Sequence, residues 1–187
     1  PSVVASLLLA ALVTQSATFR IDTSACEAGF DLKATMHTVH GSTTNLTGEL
    51  RVEPEDSGAL KLSGKISISA ASLETGNDKR DATMHSKSLL VASFPSIEFE
   101  PDRFTPSGPP GVDGAVPGAV SGRLTIRGQA RAQEIAATLA GHDRRISASG
   151  TFDVAWAEFG VPDPSFFIVK IEKLAHAHFR ADFVLAP

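Results

Sequence analysis

The sequence predicts an all-β protein, an antiparallel barrel of eight or more strands with one short helix near its mouth, and three observations point there. Apolar and polar residues alternate with period two over most of the chain, the pattern of strands that bury one face. Only one stretch, Ser72 to Phe99, departs from that alternation for long enough to hold a helix. One short helix is too little to cover a broad open sheet, so the apolar faces are expected to be buried by closing the sheet on itself, in preference to stacking two sheets as a sandwich.

The elements follow in order. Residues 3–13, VVASLLLAALV, are apolar but for one serine, too short to cross a bilayer and of the length of the apolar region of an export signal. Residues 1–17 are therefore expected to be a leader, cut near Ser16 to Thr18 with Ala17 or Ser16 at the cleavage position, and 18–187 the folded, exported domain. The competing reading is an N-terminal helix packed on that domain. From Phe30 to His37, Phe30, Leu32, Ala34 and Met36 face one way and Asp31, Lys33, Thr35 and His37 the other. Leu46 to Glu53 and Leu60 to Ser69 repeat the pattern on either side of a turn at Pro54 to Gly58.

Within the exceptional stretch, Thr75-Gly76-Asn77-Asp78 is a turn cluster, and Asn77 or Asp78 is placed to accept from a first-turn N–H as helix cap. A helix is expected from about Lys79 to Leu90, with Ala82, Met84, Leu89 and Leu90 on one side. Phe94-Pro95 ends it and opens a strand at Ile97 to Phe99. Thr105 to Gly118 holds eight Pro or Gly in fourteen residues, which predicts a long exposed loop. Val120 to Ile126, a turn near Gly128, and a strand around Ile135 to Leu139 come next. Ile146, Ala148, Gly150, Phe152, Val154 and Trp156 then oppose Arg145, Ser147, Ser149, Thr151 and Asp153. The final run, Val169 to Leu185, alternates except at Lys173 and Leu174, where either a β-bulge or a lysine reaching to the rim is expected. Inward glycines at 48, 64, 122 and 150 fit strongly coiled strands or an interior that side chains do not fill.

These residues carry a resemblance. Leu73-x-Thr75-Gly76-Asn77-x-x-Arg80-Asp81, Met84-His85 and Phe94-Pro95-x-Ile97-x-Phe99 together resemble the signature segment of the YceI-like polyisoprenoid-binding family. Phe19-x-Ile21-Asp22, the run from Val120 to Gly128 and the FGVPDPS-to-FF run from Phe159 to Phe167 fit the same family in the same order. The resemblance implies an extended, lipocalin-like barrel of eight strands in the periplasm, or otherwise secreted. It implies a polyisoprenoid or quinone-like lipid along the barrel axis, passing contact with a membrane or a membrane electron-transport protein, and a monomer or homodimer.

Composition narrows the chemistry. The net charge is −4 with 17 Lys and Arg against 21 Asp and Glu, and the basic residues are scattered, so no nucleic-acid footprint is expected. Cys26 is the only cysteine, which rules out an internal disulfide and predicts a buried, inert thiol. No nucleophile elbow, zinc-protease helix, phosphate loop or dinucleotide fingerprint occurs. Glu98 and Glu100 share a strand face, most simply a solvated one. The chain is therefore read as a non-enzymatic binder with no cofactor.

The ligand wall is expected to comprise Phe30, Leu32, Met36 and Leu50 on the early strands, with Ile66, Ile68 and Phe99 following. Leu124, Ile126, Phe152, Val154 and Trp156 continue it, Val169 and Ile171 close it, and Met84 and Leu89 add the helix near the mouth. By alternation alone these residues could equally fill a dry core. Asn77, Arg80 and Asp81 are the polar groups expected at the mouth, either orienting a head group or, as an Arg80–Asp81 ion pair, pinning the helix. His37, His40, His85, His176 and His178 offer an alternative of another class, a surface zinc or copper site. A small lipid hydrolase is a further alternative.

Overall fold

The computed structural model describes residues 15–165 and 169–187; most of the expected leader, residues 1–14, lies outside the described residues. Nine antiparallel strands form one sheet: β1 (Ala17–Lys33), β2 (Thr38–Thr43), β3 (Leu46–Pro54), β4 (Leu60–Ser69), β5 (Ser96–Pro106), β6 (Val116–Ile126), β7 (Gln129–His142), β8 (Arg145–Ala155) and β9 (Leu174–Leu185). Eight of them close a barrel in the order β1-β3-β4-β5-β6-β7-β8-β9, with β9 returning to β1. The ninth, β2, hangs on the outer edge of β1.

β1 changes neighbours part-way along. Its first four residues pair with β3, Ala17 opposite Val52 to Arg20 opposite Glu49, whereas Ala28 to Lys33 pair with β2. The change follows a break between Ile21 and Cys26, where the ladder to β9 also slips. Asp22 fixes that break. Its carboxylate accepts from the Ser24 amide at 3.1 Å and hydroxyl at 2.6 Å, and from Arg145 at 2.7 Å. These bonds hold its carboxyl down at about 2.

Where β1 has left β3, the wall is completed by the segment from Ala70 to Pro95. Ser42 and Glu74 exchange two backbone hydrogen bonds, at 3.0 and 3.1 Å, and the hydroxyls of Thr43 and Ser72 meet at 2.6 Å. Ala70 and Leu73 are buried beneath. The helix α1 (Asp78–Thr83) then continues as one π turn, Met84–Ser88, and Leu90 leaves it with positive φ. Asn77 is the cap, accepting from the Arg80 amide at 3.0 Å as its residue type predicts.

The strands follow the alternation closely, and the departures have physical causes. The strand expected from Phe30 to His37 stops at Lys33, because the chain reverses through 34–37 to form β2, which the alternation did not separate from β1. The Pro- and Gly-rich loop is shorter than expected, since β5 and β6 extend into it and leave only 107–115 unpaired. β8 ends at Ala155, and Trp156–Phe159 forms a 3-10 turn ended by Gly160 with left-handed φ. The bulge expected at Lys173 and Leu174 is present. Asp31 faces His176 but Ala34 faces Ile171, so three steps along β1 are matched by five on the other side.

The inward faces divide the barrel lengthwise. At the end holding the β3–β4, β5–β6 and β7–β8 turns, Phe19, Val52, Leu62, Phe104, Val120, Ile146 and Phe183 are buried in one continuous core. At the opposite end, which carries α1 and the turn at 156–159, Leu46, Leu124 and Val154 are buried too, whereas Phe30, Leu50, Ile66, Ile68, Phe99, Ile126 and Phe152 are only partly buried. Packing therefore holds one half of the barrel shut and leaves the other accessible.

Candidate functional site

The accessible half is an apolar interior built from six strands. Phe30, Leu50, Ile66, Ile68, Phe99 and Phe152 point inward there and remain half-buried, as do Leu32 and Ile126. Leu124 and Val154 are buried where Phe159 from the 3-10 turn packs on them. Ile97, Ala177 and Phe179 share this surface, although alternation gave no reason to prefer them over their strand neighbours.

Glycines keep the bore clear in a way that residue type alone does not reveal. A methyl group on Gly122 would stand 2.6 Å from the Phe99 ring, one on Gly150 2.7 Å from Phe179, and one on Gly118 2.6 Å from Phe104; on Gly41 it would overlap the ring of Phe30. Each ring thus lies along the wall over a glycine of the neighbouring strand instead of standing across the lumen. Gly48 and Gly64 do something different. They sit at the closest approach of β3 and β4 with positive φ, where a Cβ would run into the Lys65 or Glu49 carbonyl. Gly48 and Gly64 thus fit the expected strong coiling, whereas Gly122 and Gly150 seat aromatic rings, a role that the sequence reading did not include.

Four of the expected wall residues are placed elsewhere. Met36 is at the tip of the β1–β2 turn, 85% exposed, because the strand that would have turned it inward ends three residues earlier. Trp156 lies beyond β8 in the 3-10 turn, buried, with its indole N–H donating to the Glu172 carbonyl at 2.9 Å. Val169 and Ile171 are not on β9 but on the segment that pairs with the β1–β2 turn, through the Ala34–Ile171 bridge. Met84 and Leu89 are half-buried on and just after the π turn.

The polar signature residues hold their own loop. Arg80 donates to the Thr75 hydroxyl at 2.7 Å and to the Thr75 carbonyl at 2.9 Å, while the Asp81 carboxylate accepts from the Thr75 amide at 3.0 Å and from its hydroxyl. Thr75 is thus clamped from both sides. Arg80 and Asp81 make no ion pair with each other among the described residues, which corrects the salt-bridge expectation. The Thr75 bonds keep the Asp81 carboxyl below its ordinary range. His85 joins them, its Nε2 2.8 Å from the Leu73 carbonyl.

The remaining histidines lie outside the barrel. His40 donates to Asp31 and His176 to Asp153, each at 2.6 Å. Asp31 is the cross-strand neighbour of both histidines, so the four alternate in a row across β2, β1, β9 and β8. Asp31, Asp153 and His176 border a shallow groove of about 370 Å³ that His178 also lines. His37 is exposed in the turn. Among the described residues no three His, Cys, Asp or Glu side chains converge as a metal site.

The candidates for catalysis are likewise occupied. Lys65 donates to Glu98 at 2.9 Å and holds it below the usual carboxylate range, the opposite of what a general acid requires. The Cys26 thiol is buried, its S–H directed at the Thr44 carbonyl at 3.3 Å.

A model of the YceI-like domain matches residues 19–182. The chain belongs to the YceI-like family. Solved structures of similar fold include a polyisoprenoid-binding domain from Saccharophagus degradans implicated in plant cell wall breakdown. It is 14% identical, with 92% of this chain and 100% of that one covered and a TM-score of 0.69. BcnA of Burkholderia cenocepacia is 17% identical over 87% of this chain and 98% of its own, with a TM-score of 0.67. The Campylobacter jejuni YceI protein is 15% identical over 82% and 88%, with a TM-score of 0.58. No curated protein matches the chain. The match begins at Phe19, two residues into β1, and ends at Asp182, three residues before the end of β9, so it takes in all or most of every strand of the barrel.

Proposed function

We propose that this YceI-like barrel is an exported carrier that holds a long apolar lipid of the isoprenoid class, polyprenyl or quinone-like, in its accessible half and performs no reaction on it. One observation carries the reading: the inward residues of the same strands are sealed at one end, whereas at the other Phe30, Ile66, Ile68, Phe99 and Phe152 stay only partly buried, although both sets are apolar. Apolar surface left open to water inside a closed sheet gains by accepting an apolar guest. Each buried methylene contributes roughly 0.8 kcal/mol, so a few isoprene units offset the cost of immobilising the chain without any charged contact. The Saccharophagus degradans domain of similar fold, described as polyisoprenoid-binding, supports the class of guest. The apolar run of residues 3–13 is the ground for export, and the poor solubility of such lipids in water is the ground for passing contact with a membrane.

Mass spectrometry of organic extracts of the purified protein tests the proposal. A stoichiometric prenyl lipid is expected; extracts without lipid, together with no saturable uptake of a polyprenol, would overturn it.

A further inference from the structure

We infer that the lip formed by residues 33–37 and 169–174 docks the barrel onto a bilayer with anionic head groups. The inference builds on the carrier reading, which gives docking its purpose. β8 stops at Ala155 opposite Leu174, so the chain before Leu174 continues past the barrel rim without β8 beside it. There it is zipped to the β1–β2 turn instead: Thr35 N–H donates to the Lys170 carbonyl at 3.0 Å, the Lys170 amide to the Thr35 hydroxyl at 2.9 Å, and the Glu172 amide to the Lys33 carbonyl at 2.8 Å. Trp156 braces the same segment from below through the Glu172 carbonyl.

This braced projection exposes what an interface between water and lipid favours. Met36 stands at its tip, and Leu174, on the outward face of β9 with His176 and His178, is 39% exposed, both large apolar side chains facing water. Between and beside them are Lys33, Lys170 and Lys173, all exposed and none in an ion pair among the described residues. The opposing charges nearby are partly spoken for. Glu172 lies 3.5 Å from His176 Nε2, and Asp163, which feels Lys173, takes the amide of Ser165 at 2.9 Å. Exposed apolar tips flanked by lysines suit a negatively charged membrane surface, whereas the overall charge of −4 would otherwise repel one. Val112, exposed in the β5–β6 turn at the sealed end, is followed by Asp113 and has no lysine near it in sequence, so the lip is where exposed apolar side chains and lysines coincide.

Sedimentation with vesicles of phosphatidylcholine alone and of an equal mixture with phosphatidylglycerol tests this. Binding is expected only to the mixed vesicles and to weaken with salt. Replacing Lys33, Lys170 and Lys173 together by Glu is expected to reduce it on the order of a hundredfold, Met36→Ser several-fold, and Arg144→Glu at the far end not at all, with circular dichroism unchanged in each. Equal binding to both vesicles, full binding by the triple variant, or an equal loss with Arg144→Glu overturns the inference. A protein that carries lipid but ignores vesicles refutes the lip alone; one that binds vesicles through the lip but carries no lipid supports the lip and refutes the carrier.

Discussion

The ring of Phe30 lies over the α-carbon of Gly41, its cross-strand partner, and fills the space that a side chain there would need. Phe99 over Gly122 and Phe179 over Gly150 repeat the arrangement further round the wall. In each case a large aromatic residue contributes surface to the interior without spanning it.

Gly41→Ala therefore has a specific cost. The added methyl displaces the Phe30 ring, which overpacks the site by about 1–3 kcal/mol. In a Phe30→Ala background the same change is expected to cost much less. Urea denaturation of the four proteins of the cycle measures the coupling, and an equal cost in both backgrounds would show that the ring is not what the glycine accommodates.

The two halves of the barrel differ in how they respond to truncation. Phe104, fully buried, is expected to lose about 3–5 kcal/mol on replacement by Ala. Phe99→Ala, in the accessible half, is expected to cost less than half as much and to weaken uptake of a polyprenol. Equal stability losses at the two positions would mean that the open half is packed as firmly as the sealed one.

Acid reaches the β1 break only at low pH. Asp22 titrates at about 2 in the fold against an ordinary 3.8, because Ser24 and Arg145 hydrogen-bond its charged form. A depressed carboxyl pKa stabilises the fold in full above the unfolded value, and that contribution disappears as the pH falls through the folded one. The difference in melting temperature between the wild type and Asp22→Asn is therefore expected to be constant above pH 4 and to shrink as the pH drops toward 2. A difference that stays constant through that window would rule out the linkage.

Trp156→Phe removes the hydrogen bond to the Glu172 carbonyl. The expected loss is about 0.5–1.5 kcal/mol, felt locally. Amide exchange at 170–174 should quicken while β4 to β7 are unchanged; uniform quickening would place Trp156 in the global core instead.

Much of this architecture was legible in the sequence because period-two alternation reports directly on which side of a sheet is buried. β4 spans Leu60–Ser69 just as its alternating run does, and Asn77 caps the helix as its side chain suggests. The misreadings arise where alternation persists through a change of direction. Met36 keeps phase with Phe30 and Leu32 although the chain has already turned, and Trp156 keeps phase with Val154 although β8 has ended. The role of the inward glycines was open because a ring seated on a neighbouring strand depends on register, which one strand's sequence does not encode. The Arg80–Asp81 pair was misread for a similar reason: adjacency in sequence suggested that the two meet, whereas Thr75 stands between them.

Because the gap left by β1 is bridged by the short strand β2 and a helix-bearing segment fastened to it, the girth of the barrel at that end is not dictated by strand number and tilt alone. It depends also on a short side-chain fastening, Thr43 to Ser72 and Ser42 to Glu74. Lengthening or trimming that insert would let a chain of this design fit thicker or thinner guests while every ladder in the cylinder stayed intact.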